Sequence, residues 1–427
     1  MKYQLSSYRW IIILLLSVSY LIAYVHRLCP AVLAQDLMKT FNASGAVVGL
    51  MASAYFYPYA LMQIPSGIIA DKLGPRLLVT LCMCLASVGA LLFSLAESVT
   101  AAFWARVLVG FGVSAVLVPS YKALAAWFST RQFVMAASIV ISVAGFGGAV
   151  AGSPLAWLSE QIGWRGGTQV LAAMTFITGV LVWFLVRNKP QDFGLPPVES
   201  ALMTAGSPAE PIPLGKSFAM ILKNLDFWFL ATWFFFNGAI LFSFAGLWAG
   251  PYFMQVYGMS KTAAGNLINL FSVGWVLGPL FFGWLATRFP SHGRILGGGM
   301  SGMALLSLWM FLRNGSMSLP ELYAHNILFG LLGAGPAGVC FTAAKERFPI
   351  QIAGTVSGLV YVFPMVGSAI FQPLAGAILD RSGNLATGLG SGDFSALFIL
   401  YIVICSLAGA AGFLLRKKKD GRMPATA

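Results

Sequence analysis

Charged residues are scarce in this chain. Lys, Arg, Asp and Glu together make up 9% of its 427 residues, whereas hydrophobic residues make up 58% and the mean hydropathy is +0.82. A soluble globular protein has about a quarter charged residues. The composition therefore excludes a soluble globular protein and predicts an integral membrane protein.

Carboxylates are missing from the interior of every long apolar segment, because all thirteen Asp and Glu fall in predicted loops or at helix ends. The five cysteines lie in or beside apolar segments, and Cys82 and Cys84 are too close together for a CxxC pair. There is no nucleotide-binding motif and no catalytic constellation. We therefore expect no metal, no cofactor, no disulfide and no enzymatic activity.

Long apolar runs are what the sequence has in abundance. Twelve segments reach the length of about 20 residues that a membrane-spanning helix needs. The strands of a β-barrel would instead be about ten residues of alternating polarity. The first segment has no small-residue cleavage site, so we interpret it as a retained helix and not a signal peptide. The sequence predicts an all-α membrane protein with twelve transmembrane helices.

The net charge of +13 is distributed unevenly among the predicted loops. If the N-terminus is cytoplasmic, 19 Lys and Arg fall on the cytoplasmic side and 5 on the other, with Arg27 and Arg106 left inside helices. The excess of basic residues in cytoplasmic loops orients membrane proteins. We therefore expect both termini in the cytoplasm and no nucleic-acid binding.

The longest polar stretch, residues 187–224, is rich in Pro, Gly, Ser and charge, which is typical of a flexible linker. It separates residues 1–186 from residues 225–427, six predicted helices on each side, the second set followed by a short basic tail. The string "GIIADKLGPR" after the second segment is matched 216 positions later by "GWLATRF". A second match, "SPLAWL" with "QPLAGAIL", has an offset of 219 between its prolines. Nearly equal offsets indicate two pseudo-symmetric six-helix bundles.

The loop after the second segment carries a motif of glycine, acid and base at fixed spacing: Gly67, Asp71, Gly74 and Arg76. With it, the whole chain resembles the major facilitator superfamily, whose members have such a loop between helices 2 and 3. The resemblance implies the major facilitator fold and assigns Asp71 and Arg76 to a contact that locks one conformation. Arg106 in "ARVLVGFG" is similar to the helix 4 motif of the family, whereas the helix 5 antiporter motif is present only loosely.

The first helix contains Tyr24, His26, Arg27 and Pro30 in a pattern that is similar to the organic-anion branches of the superfamily. The anion:cation symporters of this type have an acid beside the arginine, and the organophosphate exchangers have an arginine. Here His26 stands in place of the acid. The resemblance therefore implies an organic-anion substrate and leaves open which residue, if any, couples transport to protons.

Helical spacing places polar and aromatic residues on common faces near the middle of the membrane. These residues are the candidate substrate contacts: Tyr24, Arg27, Tyr55, Tyr59, Gln63, Arg106, Trp233, Asn237, Asn269 and Tyr361. Aromatic residues at such positions also serve as ordinary packing and interface anchors. Lys122 lies near a helix end, and we expect it to extend to the membrane surface.

Arg27 and Arg106 are positive charges within helices, and no acid accompanies them there. Ionisable residues in spanning helices usually face a cavity or a partner. We therefore expect Arg27 to bind the carboxylate of a small organic anion, or a phosphate, in bidentate fashion. The alternative for Arg27 is a structural role, in which the guanidinium bonds helix-end carbonyls. For Arg106 the resemblance implies as the alternative a structural or coupling network, which the helix 4 arginine of the family often serves.

His26 is the candidate proton-coupling residue, because histidine titrates in the physiological range. The neighbouring guanidinium disfavours its protonation and a bound anion favours it, which would link proton and substrate uptake. Its alternative is packing against the fifth helix, since it lies about 100° around the helix from Arg27.

The sequence thus predicts a secondary active transporter of the bacterial inner membrane that moves a small organic anion by alternating access, as a monomer surrounded by lipid. The alternatives are an anion exchanger or uniporter without proton coupling, and an efflux transporter for amphipathic compounds. A membrane receptor or sensor would need a folded extramembrane domain, and the linker and tail are too short and polar to form one.

Overall fold

The structure, a computed structural model, describes residues 2–63, 65–194, 212–289, 291–383 and 389–415, and the regular structure of these ranges is helical. The first helices are α1 (Lys2–Leu28), α2 (Pro30–Phe41), α3 (Gly45–Ser53), α4 (Phe56–Leu61), α5 (Pro65–Leu73), α6 (Pro75–Leu95), α7 (Val99–Ser114), α8 (Leu117–Trp127), α9 (Thr130–Ala151) and α10 (Ser153–Leu185). Those that follow are α11 (Leu214–Leu222), α12 (Leu225–Ile240), α13 (Ala249–Val256), α14 (Lys261–Arg288), α15 (His292–Leu312), α16 (Leu319–Ala334), α17 (Ala337–Lys345), α18 (Ala353–Ser382) and α19 (Ser391–Leu414), with a π-helical segment, Leu241–Trp248, between α12 and α13.

The number of membrane crossings agrees with the sequence. In the described ranges, ten helical stretches are long and apolar enough to span, or eleven if the bent pair Gly45–Leu61 and Pro65–Leu73 is one span. One of the ten, Met135–Leu185, has 51 residues. Fully straight, it would measure about 76 Å, more than twice the hydrocarbon core of about 30 Å. The break at Gly163, whose φ is 74°, divides it into two spans, and with the bent pair as one further span this gives the predicted twelve.

Local signals in the sequence explain where the helices begin. Ser44, Ser98 and Ser260 each precede a helix and accept a hydrogen bond from a backbone N–H of its first turn. Pro30 and Pro75 stand at the first helical position, where a missing N–H costs nothing. These caps mark the positions at which the apolar runs are divided into separate helices.

The predicted linker, residues 187–224, is partly helical, and its residues 195–211 lie outside the described ranges, as does the basic tail, residues 416–427. Pro190–Phe193 forms a 3₁₀ turn, and Leu214–Leu222 forms α11. A short helix, α11, therefore forms within the predicted linker. The reason is that Ser217 and Ile221 are buried on one face of this short helix, next to α12.

Twelve crossings place the start of α1 and the end of α19 at the same end of the bundle, which we call the proximal end; the other is the distal end. Contacts between residues 1–186 and 225–427 concentrate at the distal end. There the Asp380 carboxylate accepts hydrogen bonds from the backbone N–H groups of Gly45 (2.7 Å) and Ala46 (2.8 Å), and Lys261 Nζ lies 2.6 Å from the Asp36 carboxylate. The distal end is closed in this structure.

The distal closure brings α3 and α18 into backbone contact. A Cβ built on Gly49 would lie 2.5 Å from the carbonyl oxygen of Gln372, and one on Gly376 would lie 2.2 Å from the carbonyl oxygen of Gly45. Real Cβ atoms do not approach so closely, so side chains larger than hydrogen would separate the two helices. The glycines therefore permit the tight seam between the halves.

Candidate functional site

A break in the first span positions the central arginine. Pro30 has no N–H, so the carbonyl of His26, four residues earlier, lacks its usual helical donor. Arg106 Nη1 donates to this carbonyl at 2.9 Å from the neighbouring helix α7. Arg106 therefore braces the point at which α1 gives way to α2, one residue from Arg27. Arg106 Nε and Nη2 are buried and have no hydrogen-bond partner among the described residues, so only one of its three nitrogens is used on the main chain.

Arg27 sits in a cage of four aromatic rings. Its Cζ lies 4.6 Å from the ring centroids of Tyr24 and Tyr59, 5.7 Å from that of Tyr55 and 5.4 Å from that of Phe242. Ring faces attract a guanidinium, and the attraction is larger where water is excluded. The cage is dry, because the Arg27 side chain is 0% exposed.

The terminal nitrogens of Arg27 lack partners. Its Nε–H donates to the Tyr55 hydroxyl at 3.4 Å, but Nη1 and Nη2, although buried, have no hydrogen-bond partner among the described residues. The described ion pairs do not include Arg27 either. A buried charge without a counter-charge is costly. The cage therefore leaves two directed donors and one positive charge for an anion.

Tyrosine hydroxyls add polar groups around this charge. Tyr24, Tyr55, Tyr59 and Tyr361 all lie near enough to the Arg27 guanidinium to interact with it electrostatically. The Tyr55 ring stacks on that of Tyr59 with 5.6 Å between centroids, and its hydroxyl donates to the Ala23 carbonyl. Tyr361 belongs to α18 in the second half, so the structure gathers residues of both halves around Arg27.

Three other predicted contact residues are engaged elsewhere. Trp233 donates from its indole to the Leu296 carbonyl at 3.0 Å, and Asn237 donates to the Gly333 carbonyl at 2.9 Å. Asn269 uses its amide oxygen and nitrogen on the backbone and side chain of Ser153. The three side chains hold helices together in this conformation, and their assignment as substrate contacts stays a prediction. Helical spacing identified the right helices but not which neighbour each side chain meets.

Gln63 lies at the end of α4, where its side-chain amide donates to the Tyr59 carbonyl at 3.1 Å. It is partly exposed, as is Tyr361. Both residues lie nearer the proximal end than the cage does, whereas Tyr55 and Tyr59 in the cage are fully buried. The exposure therefore increases from the cage toward the proximal end.

His26 points away from the Arg27 cage. Its Nε2 lies 2.9 Å from the Thr175 hydroxyl in the second part of α10, the sixth span. The Thr175 hydroxyl donates to the Leu171 carbonyl at 2.7 Å, so its oxygen accepts the N–H of His26. The sequence suggested packing against the fifth helix as the alternative to a coupling role; the structure places the imidazole against the sixth instead.

In the motif loop, which contains Gly67, Asp71, Gly74 and Arg76, the acidic and basic side chains have separate partners. The Asp71 carboxylate pairs with Lys122 Nζ at 2.6 Å, and Lys122 also donates to the Ala70 carbonyl. Arg76 instead donates to the Trp183 carbonyl and lies 4.1 Å over the Trp183 ring. In this structure Asp71 and Arg76 therefore do not contact each other, because Arg76 faces the end of the sixth span; their role in a conformational lock stays a prediction, and Lys122 reaches the surface beside Asp71.

The two motif glycines have different environments. Gly74 has a φ of 78°, and a Cβ there would lie 2.7 Å from the Asn188 amide nitrogen, so this position favours glycine. A Cβ on Gly67 would only make an ordinary contact of 3.8 Å with Val118. In the distal-closed structure, Gly67 therefore does not lie at a close approach between helices of the described residues.

Sequence reasoning missed two aromatic members of the site. Phe242 completes the cage, and Trp275 packs edge-on against Tyr24 with 5.7 Å between centroids. Both come from the second half, and neither belongs to a polar stripe. With 58 Phe, Trp and Tyr in the chain (33 + 12 + 13), no periodicity could single them out.

The profile of the Major Facilitator Superfamily matches residues 12–318 and 242–426, which together cover nearly the whole chain. The chain belongs to the major facilitator superfamily. Its fold, its many apolar helices and its motif loop are those that the resemblance implied. The relatives and structural neighbours include transport proteins and the membrane sensor protein UhpC of two bacteria, and we therefore class this member of the superfamily as a membrane protein that is not an enzyme.

Three relatives illustrate the similarity. The glycerol-3-phosphate transporter of Bacillus subtilis is 25% identical, over 84% of this chain and 82% of its own length. The probable galactarate/D-glucarate transporter of Escherichia coli is 23% identical, over 92% and 93%. The membrane sensor protein UhpC of Escherichia coli is 22% identical, over 99% and 96%. Since a sensor matches nearly end to end, the expectation that a sensor would need an extramembrane domain is wrong.

A solved structure supports the fold. A bacterial homolog of the human lysosomal transporter Spinster, in an inward-facing and occupied conformation, superposes with a TM-score of 0.73 at 19% identity, covering 98% of this chain and 99% of the other. At this identity the likeness demonstrates the fold and nothing finer.

Proposed function

We propose that this protein is a secondary transporter that moves a small organic anion of the carboxylate type across the bacterial inner membrane. Arg27 is the anchor for the anion. Residues 1–186 and 225–427 rock about the site as two bundles, and the protein acts as a monomer with both termini in the cytoplasm. Tyr24, Tyr55, Tyr59 and Tyr361 contribute hydroxyls and ring faces to the bound anion.

The observation that carries this proposal is the pair of unpartnered, buried Nη atoms of Arg27. A carboxylate would accept both donors in the bidentate geometry that guanidinium groups favour. It would also supply the negative charge that the described neighbours of Arg27 lack. Relatives that are named as transporters of glycerol 3-phosphate and of galactarate or D-glucarate, all anions, agree with this reading.

Alternating access fits the distribution of contacts between the halves. The distal end is held by Asp380 and Lys261, and exposure increases from the cage toward Gln63 and Tyr361 on the proximal side. Parting of the halves at the distal end would require these contacts to break. The structure thus corresponds to a state that would load or release its anion at the proximal, cytoplasmic end.

Anion exchange or uniport is the second candidate, and the position of His26 favours it. The His26 imidazole makes a hydrogen bond with Thr175, which also belongs to residues 1–186. Arg106 donates a hydrogen bond to the main-chain carbonyl of His26. Neither contact offers a negative charge that would stabilise a protonated imidazole. Proton coupling through His26 stays a prediction that transport assays must decide.

The test is uptake into proteoliposomes that contain the purified full-length chain, with carboxylates, sugar acids and phosphate esters as candidate anions. We expect uptake of at least one carboxylate by the wild-type protein and its loss in Arg27→Lys. Arg288→Lys, which changes an exposed arginine near the proximal end, is the matched control and should transport normally. Binding without uptake would indicate a sensor, and full uptake by Arg27→Lys would refute the anchor role.

A further inference from the structure

We propose that the anion carries an aromatic or branched aliphatic body, and that an apolar cavity beside Arg27 receives this body. The inference rests on the proposed function and narrows its substrate to amphipathic carboxylates. We call the cavity the side chamber and define it by Tyr24, Leu28, Phe242, Ile268, Phe271 and Trp275.

The side chamber lies between the two halves. Tyr24 and Leu28 belong to α1, whereas Phe242 belongs to the π-helical segment and Phe271 and Trp275 belong to α14. Substrate sites of such transporters form where the two repeats meet. The apolar body of an anion bound in the side chamber would therefore contact both halves, and its contacts would change when the halves move.

The side chamber shares walls with the arginine cage. The rings of Tyr24 and Phe242 line the chamber and also lie 4.6 and 5.4 Å from the Arg27 Cζ. Trp275 extends the same aromatic surface, 5.7 Å from Tyr24 and 6.1 Å from Phe242 between centroids. An anion held by Arg27 would thus have this surface immediately beside its charged group.

The polarity of the side chamber selects against hydroxyl-rich anions. Its described lining contains no charged side chain, and its polar groups are the hydroxyls of Tyr24 and Ser272 and the indole N–H of Trp275. A polyhydroxylated acid would leave several hydroxyls without partners after losing water. An aromatic or branched aliphatic body loses only apolar hydration and gains contacts with the ring edges and faces.

Two glycines of α9, Gly145 and Gly148, also line the side chamber, and their lack of side chains leaves space in it. A Cβ on Gly148 would lie 2.4 Å from Ser272 Oγ and 3.1 Å from Leu28 Cδ1, and one on Gly145 would lie 3.2 Å from Val276 Cγ2. The cavity measures about 20 Å³ in the distal-closed structure, close to the room for one water molecule. Because its walls come from both halves, it widens when α9 and α14 move apart.

Equilibrium binding to the purified full-length protein tests the proposal. The probes are 3-phenylpropanoate and 4-methylpentanoate as amphipathic anions, propanoate as a carboxylate without a body, and D-glucarate and glycerol 3-phosphate as hydroxyl-rich anions. We expect 3-phenylpropanoate to bind about ten-fold or more tightly than propanoate and D-glucarate, as burial of a ring implies. Arg27→Gln should abolish this binding.

Variants locate the body within the side chamber. Trp275→Leu and Gly148→Val, which remove one wall and fill the space beside another, should each weaken 3-phenylpropanoate binding about ten-fold while propanoate affinity changes less than about two-fold. Trp157→Leu, at a tryptophan that is 55% exposed, is the matched control and should change neither affinity. The two variants act independently, so misfolding of one leaves the other as the test.

The outcomes separate this inference from the proposed function. If D-glucarate or glycerol 3-phosphate binds through Arg27 and 3-phenylpropanoate binds no better, the side-chamber proposal is overturned and anion transport stands. If 3-phenylpropanoate binds tightly but both variants leave its affinity unchanged, the side chamber is likewise excluded. If no anion binds in an Arg27-dependent way, the proposed function itself fails.

Discussion

Arg106 Nη1 donates a hydrogen bond to the main-chain carbonyl of His26, 2.9 Å away, and thereby replaces the helical donor that Pro30 lacks. The contact joins the fourth span to the break in the first span. It fixes the backbone on one side of Arg27, while the cage of rings holds the side chain on the other. In the proposed function, Arg106 therefore supports the backbone beside the site, and Arg27 is the anchor for the anion.

This relationship predicts a compensating pair of substitutions. Arg106→Gln should lower the free energy of unfolding by about 1.5–3 kcal/mol, because a buried charged hydrogen bond is lost, and should weaken anion binding by displacing Arg27. Pro30→Ala restores an N–H at the fourth residue after His26, so it should recover part of both losses in the Arg106→Gln background. A double-mutant cycle of thermal unfolding and anion affinity measures the coupling. Strict additivity of the two changes would contradict the account.

His26→Gln tests proton coupling. A glutamine side chain can still donate a hydrogen bond to the Thr175 hydroxyl, so the contact between the first and sixth spans should persist. We expect the variant to keep wild-type anion uptake both with and without an imposed pH gradient. Selective loss of gradient-driven accumulation, with exchange preserved, would instead identify His26 as the coupling residue.

Asp380→Ala should loosen the distal closure, because the backbone N–H groups of Gly45 and Ala46 lose their shared acceptor. We expect faster reaction of a membrane-impermeant maleimide with a Val47→Cys reporter in this variant than in the parent. Asp393→Ala is the control, since that carboxylate accepts from Gly390 at the start of its own helix and does not join the halves. Equal labelling rates in the Asp380 and Asp393 variants would show that Asp380 does not hold the two halves together at the distal end.

The Asp71–Lys122 pair is solvent-exposed, with 73% and 39% of the two side chains accessible. Exposed ion pairs contribute about 0–1 kcal/mol, so neither Asp71→Asn nor Lys122→Gln should lower thermal stability noticeably. If Asp71 also locks the proximal end in the opposite conformation, both variants should change the transport rate. Lys72→Gln, which changes the exposed residue next to Asp71, is the control for both stability and transport rate. Unchanged transport in both variants would remove the loop from the conformational cycle.

Sequence patterns predicted the helices better than the contacts of individual side chains. Tyr24 and Arg27 lie one turn apart on one helix, and Tyr55 and Tyr59 share a face on another. Spacing therefore placed Arg27 and three of the four cage rings among the candidate substrate contacts. Asn237 and Asn269 also had suitable spacing and depth, yet they bond Gly333 and Ser153. Spacing defines a helix face, but the rotation of each helix against its neighbours depends on the packing of the whole bundle.

Charge partners were likewise beyond the reach of the sequence. The resemblance assigned Asp71 and Arg76 to a contact that locks one conformation, but in this structure the Asp71 carboxylate pairs with Lys122, 51 residues away. The reason is that Gly74 turns the chain, and Arg76 then points toward Trp183 at the end of the sixth span. The lack of acids inside the apolar segments, in contrast, needed no tertiary information, and it is the sequence feature behind the proposal of an anionic substrate.

The central claim is that Arg27 binds the anion, and the most direct test is calorimetric titration of the best-binding carboxylate into wild-type, Arg27→Lys and Arg288→Lys proteins. The account predicts wild-type affinity in Arg288→Lys and a loss of about 100-fold in Arg27→Lys, because a lysine cannot supply the two directed donors within the aromatic cage. Binding by Arg27→Lys within about two-fold of wild type would contradict it.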